Sequence, residues 1–286
     1  MIKYTTISEI RQAVQTAREL GLSVGLVPTM GYLHAGHRSL IERARRENDR
    51  VLVTIFVNPT QFGPNEDFAS YPRDLDGDLN LCQQAEADWV FAPDAAELYP
   101  EPSLISFDVA SLGDHLCGAR RPGHFSGVCL VVAKLFNICQ PTRAYFGEKD
   151  AQQLAIIRRM TSDLNFPVQI VGCPIIREAD GLAMSSRNTY LDPVQRQAAL
   201  VVPHALNWAR AALANGERSA AVLIRLMQTT VDNEPLARAD YLSIVDNRTL
   251  QPVDEISQDT LIAVAINIGK TRLIDNFLFK CQKEGT

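Results

Sequence analysis

The chain has 286 residues, 46% of them hydrophobic and 21% charged, a globular composition that excludes intrinsic disorder and fibrous repeats. Its length fits one large domain, or a large and a small one. The 28 basic and 33 acidic side chains leave a formal net charge of −5, which argues against nucleic-acid and anionic-membrane partners, so an anionic ligand needs a local basic site.

The N-terminal segment Met1-Ile2-Lys3-Tyr4-Thr5-Thr6 has no apolar signal core. No stretch reaches the roughly 18 apolar residues of a membrane span. Cysteines at 82, 117, 129, 139, 173 and 281 form no Cys-x-x-Cys pair, and four of them sit in apolar runs. A soluble protein of the reducing cytoplasm is expected.

In chain order, Thr6-Ile7-Ser8-Glu9 has the form of a capping box, and Ile10, Val14, Ala17 and Leu20 recur at helical spacing until Gly21. A helix therefore opens the chain. Residues 24–27 form a short apolar run closed by Pro28, and Leu40, Ile41 and Ala44 mark one face of a second helix. Residues 51–57 are almost continuously apolar and β-branched, the pattern of a strand covered on both faces in a parallel sheet.

Further alternation follows: helices at about 75–85, 128–137 and 152–164, and strands at 89–92, 143–146 and 168–171. Repeated β-α units predict a Rossmann-like, doubly wound parallel sheet over residues 1–175. Beyond Cys173-Pro174 the pattern changes to a polar stretch ending near Arg187, helices at about 195–214 and 220–231, and strands near 241–245 and 261–268. Residues 176–286 are expected to form a smaller α+β domain.

Pro28-Thr29-Met30-Gly31-Tyr32-Leu33-His34-Ala35-Gly36-His37 lies between a predicted strand and helix. In doubly wound sheets ligands bind where strands end, and the next helix offers free N–H groups and partial positive charge. His34 and His37 suit a phosphate chain, while Gly36 lets a flat base approach the backbone. The bare His-x-Gly-His pattern also suits a capped helix start or a metal-ligand pair. Zinc lacks a third ligand, because His115, His124 and His204 repeat no ligand spacing.

Phe146-Gly147-Glu148-Lys149-Asp150 follows a predicted strand, so Lys149 is placed at the carboxyl edge of the sheet, with Gln153 one helical turn on. It also reads as a charged turn in which Asp150 caps a helix. Ala183-Met184-Ser185-Ser186-Arg187-Asn188 offers two hydroxyls and a guanidinium for phosphate oxygens. Asn58-Pro59-Thr60-Gln61-Phe62 brings two amides to the end of the central strand, where an Asn-Pro turn is the plainer reading. Arg121-Pro122-Gly123-His124-Phe125 adds Arg121 and His124 as substrate-site candidates, or a proline turn at the surface.

Pro-Thr-Met-Gly with His-x-Gly-His, Phe-Val-Asn-Pro-x-Gln-Phe, Arg-Pro-x-His-Phe-x-Gly-Val, Phe-Gly-Glu-Lys-Asp and Arg-Glu-x-Asp-Gly-Leu-Ala-Met-Ser-Ser-Arg-Asn occur in that order along nearly the whole chain. Together they resemble the pantoate–β-alanine ligase family of the His-x-Gly-His nucleotidyl-transferase superfamily. Met-Ser-Ser-Arg resembles the Lys-Met-Ser-Lys-Ser loop of that superfamily.

The resemblance implies ligation of pantoate to β-alanine through a pantoyl adenylate, with ATP converted to AMP and pyrophosphate, Mg²⁺ held mainly through ATP, no dedicated protein metal site, and a homodimer. It implies that His34, His37, Lys149, Ser185, Ser186 and Arg187 act on the phosphates. Pro28, Thr29, Met30, Gly36, Gly147, Asp150, Ile176 and Met184 would join them around the nucleotide, and Asn58, Gln61 and Gln153 would meet pantoate. A nucleotidyl transferase that leaves the nucleotide on its product, or a nucleotide-binding protein without catalysis, shares the same clamp. Product analysis separates these from the ligase. Residues 104–117 match no motif.

Overall fold

The computed structural model describes residues 1–64 and 66–281. In chain order it contains β1 (Ile2–Tyr4), α1 (Ile7–Glu19), β2 (Val24–Thr29), α2 (Ala35–Glu47), β3 (Arg50–Ile55), α3 (Leu75–Gln84), β4 (Trp89–Phe91) and α4 (Ala95–Leu98). These are followed by α5 (Leu116–Arg120), α6 (His124–Cys139), β5 (Arg143–Gly147), α7 (Ala151–Asp163) and β6 (Gln169–Cys173). The rest comprises α8 (Pro193–Ala198), α9 (Val201–Ala214), α10 (Ala220–Asp232), β7 (Ala237–Asp246), β8 (Thr260–Ile268) and β9 (Thr271–Phe279).

The chain divides into two compact units. The first holds residues 1–109, 121–148 and 153–176, and the second holds 110–120, 149–152 and everything from Arg177. The chain passes between the two units five times, the last time after Ile176.

In the first unit six parallel strands run in the order β1-β4-β3-β2-β5-β6. Val51, Leu52 and Val53 of β3 are fully buried, as a strand with both faces covered requires. The order reverses between β2 and β5, which makes the carboxyl ends of those two strands the crevice where such sheets take ligands. The predicted capping box opens α1: Thr6 Oγ1 accepts from Glu9 N, and Thr6 N donates to a Glu9 carboxylate oxygen. Ile10, Val14 and Ala17 on its inner face are buried.

The second unit is α+β. Its antiparallel sheet runs β7-β8-β9, and α9 and α10 supply Leu206, Leu213, Leu223 and Met227 to a core shared with Ile262, Val264 and Ile266 of β8. The single helix expected at 195–214 is two, since α8 ends at Ala198 and α9 begins at Val201. β9 adds a strand beyond those predicted, joined to β8 across Gly269-Lys270 with Gly269 at φ +57°. The uninterpreted stretch 104–117 contributes α5, tied by a buried Gln152 whose Nε2 donates to the carbonyls of Leu112 and His115, both at 2.8 Å.

Candidate active site

β2 delivers the chain to the ligand edge at Thr29, whose hydroxyl donates to Thr54 O at 2.7 Å and accepts from Gly31 N at 3.2 Å. Gly31 and Tyr32 then take φ values of +77° and +51°, a left-handed pair in which only the first residue lacks a Cβ. Asp78, from the first turn of α3, pins this bend: its carboxylate accepts from Tyr32 N at 2.9 Å and Leu33 N at 2.6 Å. A Cβ at Gly31 would stand 2.8 Å from an Asp78 oxygen, so only glycine fits there without a shift. Asp78 is 3% exposed, and burial raises its carboxyl above the usual value against the pull of the two amides.

His34 is the N-cap of α2. Its Nδ1 accepts from Gly36 N at 3.0 Å, and His37 Nδ1 accepts from His34 N at 3.3 Å, a capping box made of two imidazoles. A ring nitrogen that accepts carries no proton, so in each neutral ring the proton sits on Nε2. The rings lie 4.2 Å apart between centroids. The capped-helix reading and the phosphate reading are thus compatible: capping occupies Nδ1 of each ring and leaves the ring proton on Nε2.

The end of β3 supplies a second cluster. Asn58, 1% exposed, caps a single 3-10 turn, Pro59–Gln61. Its Oδ1 accepts from Thr60 Oγ1 and Tyr99 OH, both at 3.0 Å, and its Nδ2 donates to Gln61 Oε1 at 3.1 Å and Gly127 O at 3.2 Å. Gln61 Nε2 in turn donates to Met30 Sδ at 2.9 Å. Met30, Asn58 and Gln61 are thereby brought together. Arg121 forms a bidentate pair with Glu66, and His124 Nδ1 lies 2.8 Å from Gln61 O. Among the described residues, the Arg121 and His124 side chains are engaged within the protein.

In the second unit, Lys149 occupies a 3-10 turn, Glu148–Asp150, and its carbonyl accepts from Asn276 Nδ2 of β9 at 2.8 Å. No ion pair among the described residues engages its ammonium. Ser185 caps another 3-10 turn, Ser186–Tyr190, its hydroxyl accepting from Arg187 N at 3.3 Å. The base of that loop is fixed by the Arg177–Asp275 pair at 2.6 and 3.0 Å, by Arg196 reaching Glu178 and Asp180, both at 2.7 Å, and by Asn188 Nδ2 donating to Glu178 and to Ala183 O. Met184 and Ser185 to Arg187 are half-buried.

Pro28, Gln153 and Ile176 are half-buried, Asp150 is exposed, and a Cβ at Gly147 would meet nothing within 4 Å. Burial pushes the thiols of Cys82 and Cys129 up to about 12, which leaves them protonated and poorly nucleophilic at neutral pH. Among the described residues no group of three or more His, Cys, Asp or Glu side chains is placed to hold a metal.

The sequence model of the family described as pantoate-beta-alanine ligase matches residues 3–278. The chain belongs to the pantoate–β-alanine ligase family. It is 54% identical over 275 residues to a pantothenate synthetase of Clostridium botulinum (strain Loch Maree / Type A3), covering 96% of this chain and 98% of the relative. A pantothenate synthetase of Ruminiclostridium cellulolyticum is 55% identical over 279 residues, 98% of this chain and 99% of the relative. The crystal structure of pantothenate synthetase from Thermus thermophilus superposes with a TM-score of 0.92 at 48% identity, covering 97% of this chain and 99% of that one. The Francisella tularensis ligase, solved with β,γ-ATP and β-alanine, gives a TM-score of 0.79 at 34% identity over 97% of each chain. The protein is therefore an enzyme of this ligase class.

Four residues of the ligase escaped the sequence reading: Asp78, Gln152, Glu66 and Asn276. Asp78, Glu66 and Asn276 hold the backbone at or beside a candidate residue, or its side chain, from far along the chain, and Gln152 holds the carbonyls of Leu112 and His115 ahead of α5. No local motif marks such pairs. Asp78 is one of three acids in Asp74-Leu75-Asp76-Gly77-Asp78, and only burial tells it from the others.

Proposed function

We propose that the enzyme joins pantoate to β-alanine through a pantoyl adenylate, and that His34, His37, Lys149, Ser185, Ser186 and Arg187 hold the phosphates of ATP. The observation that carries this reading is the paired imidazole cap, in which both Nδ1 atoms accept backbone N–H groups at the N-terminus of α2, so that each neutral ring has its proton on Nε2. ATP and β-alanine are the ligands named for the Francisella relative, which supports both as substrates here.

A carboxylate and an amine at neutral pH form a salt and not an amide, so activation comes first. A pantoate carboxylate oxygen attacks the α-phosphorus and the bond to the pyrophosphate oxygen breaks, leaving a mixed anhydride. The neutral amine of β-alanine then attacks the acyl carbon, the acyl–oxygen bond breaks, and AMP departs with that electron pair. No covalent enzyme intermediate is required, so the side chains position the reactants and offset charge growing on the α-phosphate and pyrophosphate. Lys149 and Arg187 supply positive charge, and the neutral imidazoles of His34 and His37 add N–H donors. Gln61 and Gln153 orient pantoate, and Asn58, whose amide is spent on Thr60, Tyr99 and Gly127, acts on Gln61 from behind. Mg²⁺ would be held through the phosphate oxygens and would offset their charge, Pro28, Thr29, Met30, Gly36, Gly147, Asp150, Ile176 and Met184 surround the nucleotide, and the protein works as a cytoplasmic homodimer.

The test is pyrophosphate and AMP release with ATP, pantoate and β-alanine, each omitted in turn. Pyrophosphate release that needs pantoate, together with AMP release that also needs β-alanine, is the expected result. An adenylylated product that accumulates in the presence of β-alanine would overturn it. Sedimentation at micromolar concentration checks the dimer.

A further inference from the structure

The turn carrying Gln61 is held by more than a three-residue helix needs. His124, the first residue of α6 and 8% exposed, places Nδ1 2.8 Å from Gln61 O and Nε2 2.9 Å from Arg121 Nη1. A guanidinium only donates. His124 Nε2 is therefore the acceptor, and its ring proton lies on Nδ1, donated to the Gln61 carbonyl.

Arg121 is held in turn by Glu66, with Nε to Oε1 at 2.7 Å and Nη2 to Oε2 at 2.6 Å, and the two side chains are only 17% and 24% exposed. Burial works against the Glu66 charge, but the hydrogen bonds and charge of Arg121 hold its carboxyl below the usual value. The two-pronged geometry fixes the guanidinium plane, so Arg121 aims at one point. Behind the turn, a Cβ on Gly127 would overlap the Thr60 carbonyl, so α6 lies directly on the backbone of the turn. Gln61 is thereby gripped at its carbonyl by His124 and at its side chain by Asn58 and Met30.

We propose that Glu66, Arg121 and His124 are positioning residues: a carboxylate, a guanidinium and an imidazole in series fix the Gln61 carbonyl and, through it, the amide that receives pantoate. This assignment rests on the reading of Gln61 as a pantoate ligand. It replaces direct substrate contact by Arg121 and His124 with action through Gln61. It follows that the series governs capture of the acid and leaves nucleotide binding alone.

The experiment compares His124→Ala, His124→Gln and His124→Asn with wild type, measuring KM for pantoate and for ATP separately after a thermal melt confirms folding. The asparagine variant keeps an N–H near the place of Nδ1, and glutamine does not. Loss of the single bond to Gln61 raises pantoate KM by about tenfold in the alanine and glutamine variants, less than about threefold in the asparagine variant, and leaves ATP KM within about twofold. Equal rises for ATP and pantoate, or an asparagine variant as impaired as alanine, would overturn the proposal. If the alanine variant does not fold, the glutamine and asparagine pair carries the comparison.

A second readout needs no turnover. Nitrogen-15 NMR of the wild-type ring should show His124 protonated on Nδ1 and not on Nε2, and the opposite tautomer also overturns the series. A wild-type enzyme that releases no pyrophosphate with ATP and pantoate, and no AMP once β-alanine is added, would instead sink the ligase reading, while the ring proton still decides the positioning series.

Discussion

The turn at residues 28–37 and the loop at residues 177–188 are both proposed to meet phosphate, yet they are built from different forces. The turn is held from inside, by backbone amides donating to two imidazoles and to the buried Asp78. The loop is held at its base by ion pairs, of which Arg196–Glu178 and Arg196–Asp180 are partly open to water, with side-chain exposures of 27%, 30% and 39%. Buried, short-range hydrogen bonds are little screened by salt, whereas exposed ion pairs are weakened by it. The first segment is thus fixed by contacts that salt leaves alone, and the rigidity of the second depends on solution conditions.

The largest effect should come from the ion pair of the loop that reaches a buried carboxylate. Asp275 has a side-chain exposure of 0% against Arg177, so Arg177→Ala leaves a buried, unpaired carboxylate and should destabilise the protein by about 3–5 kcal/mol. Urea unfolding of that variant and of Arg177→Ala with Asp275→Asn checks it: the double change should recover much of the loss. If the single variant unfolds like wild type, the pair does not anchor the loop.

Next come the proposed phosphate donors. Lys149→Ala and His34→Ala should each slow adenylate formation by about 10²–10³, or ~2.7–4 kcal/mol. Only the histidine change also removes a helix cap, so it alone should lower stability by about 1 kcal/mol. Single-turnover pyrophosphate release and denaturant melts on the same samples separate the two contributions. Asp78→Ala is smaller again: the stranded amides of Tyr32 and Leu33 should weaken folding by ~1–3 kcal/mol, and ATP KM should rise because the bend before His34 loosens.

Acid should act on the two regions with opposite sign. Asp180 is partly desolvated, but Arg196 and the Leu182 amide hold its carboxyl below the usual value. Its support for the loop is present above the unfolded value near ~3.9 and lost as pH falls through the folded one. Asp78 is raised by burial, so its contribution is full below the unfolded value and declines as pH rises through the folded value. Protease cleavage near Met184 should therefore stay constant from about pH 7 to 5 and rise only below ~4. A rise already at pH 6 would contradict the Arg196 anchor.

Elements whose causes are local could be read from sequence. Thr6 and Glu9 box α1, the β-branched run of β3 is buried on both faces, and the His-x-Gly-His turn stands at the strand reversal. β1 was not legible because Ile2 to Tyr4 is a three-residue strand at the edge of the sheet, its first two residues exposed, paired among the described residues with β4 alone. β9 left a readable trace in Gly269-Lys270 between two apolar runs, the form of a two-residue hairpin. The candidate side chains were legible, but the groups that aim them were not, because Asp78, Glu66 and Asn276 meet their targets only through tertiary folding.

The interleaving of the two units along the chain limits how the protein can be divided. Residues 110–120 belong with β7 and β9, where Cys117 Sγ lies 3.3 Å from Tyr241 OH and Arg120 Nη2 donates to Asp240 O at 2.8 Å. A fragment ending at residue 175 would carry this segment without its partners, leaving Leu116 and Cys117 uncovered. A fragment beginning there would lack α5 and the Gln152 tether. The second unit is not a portable module: a gene split or fusion at that point parts residues 110–120 and 149–152 from the rest of it.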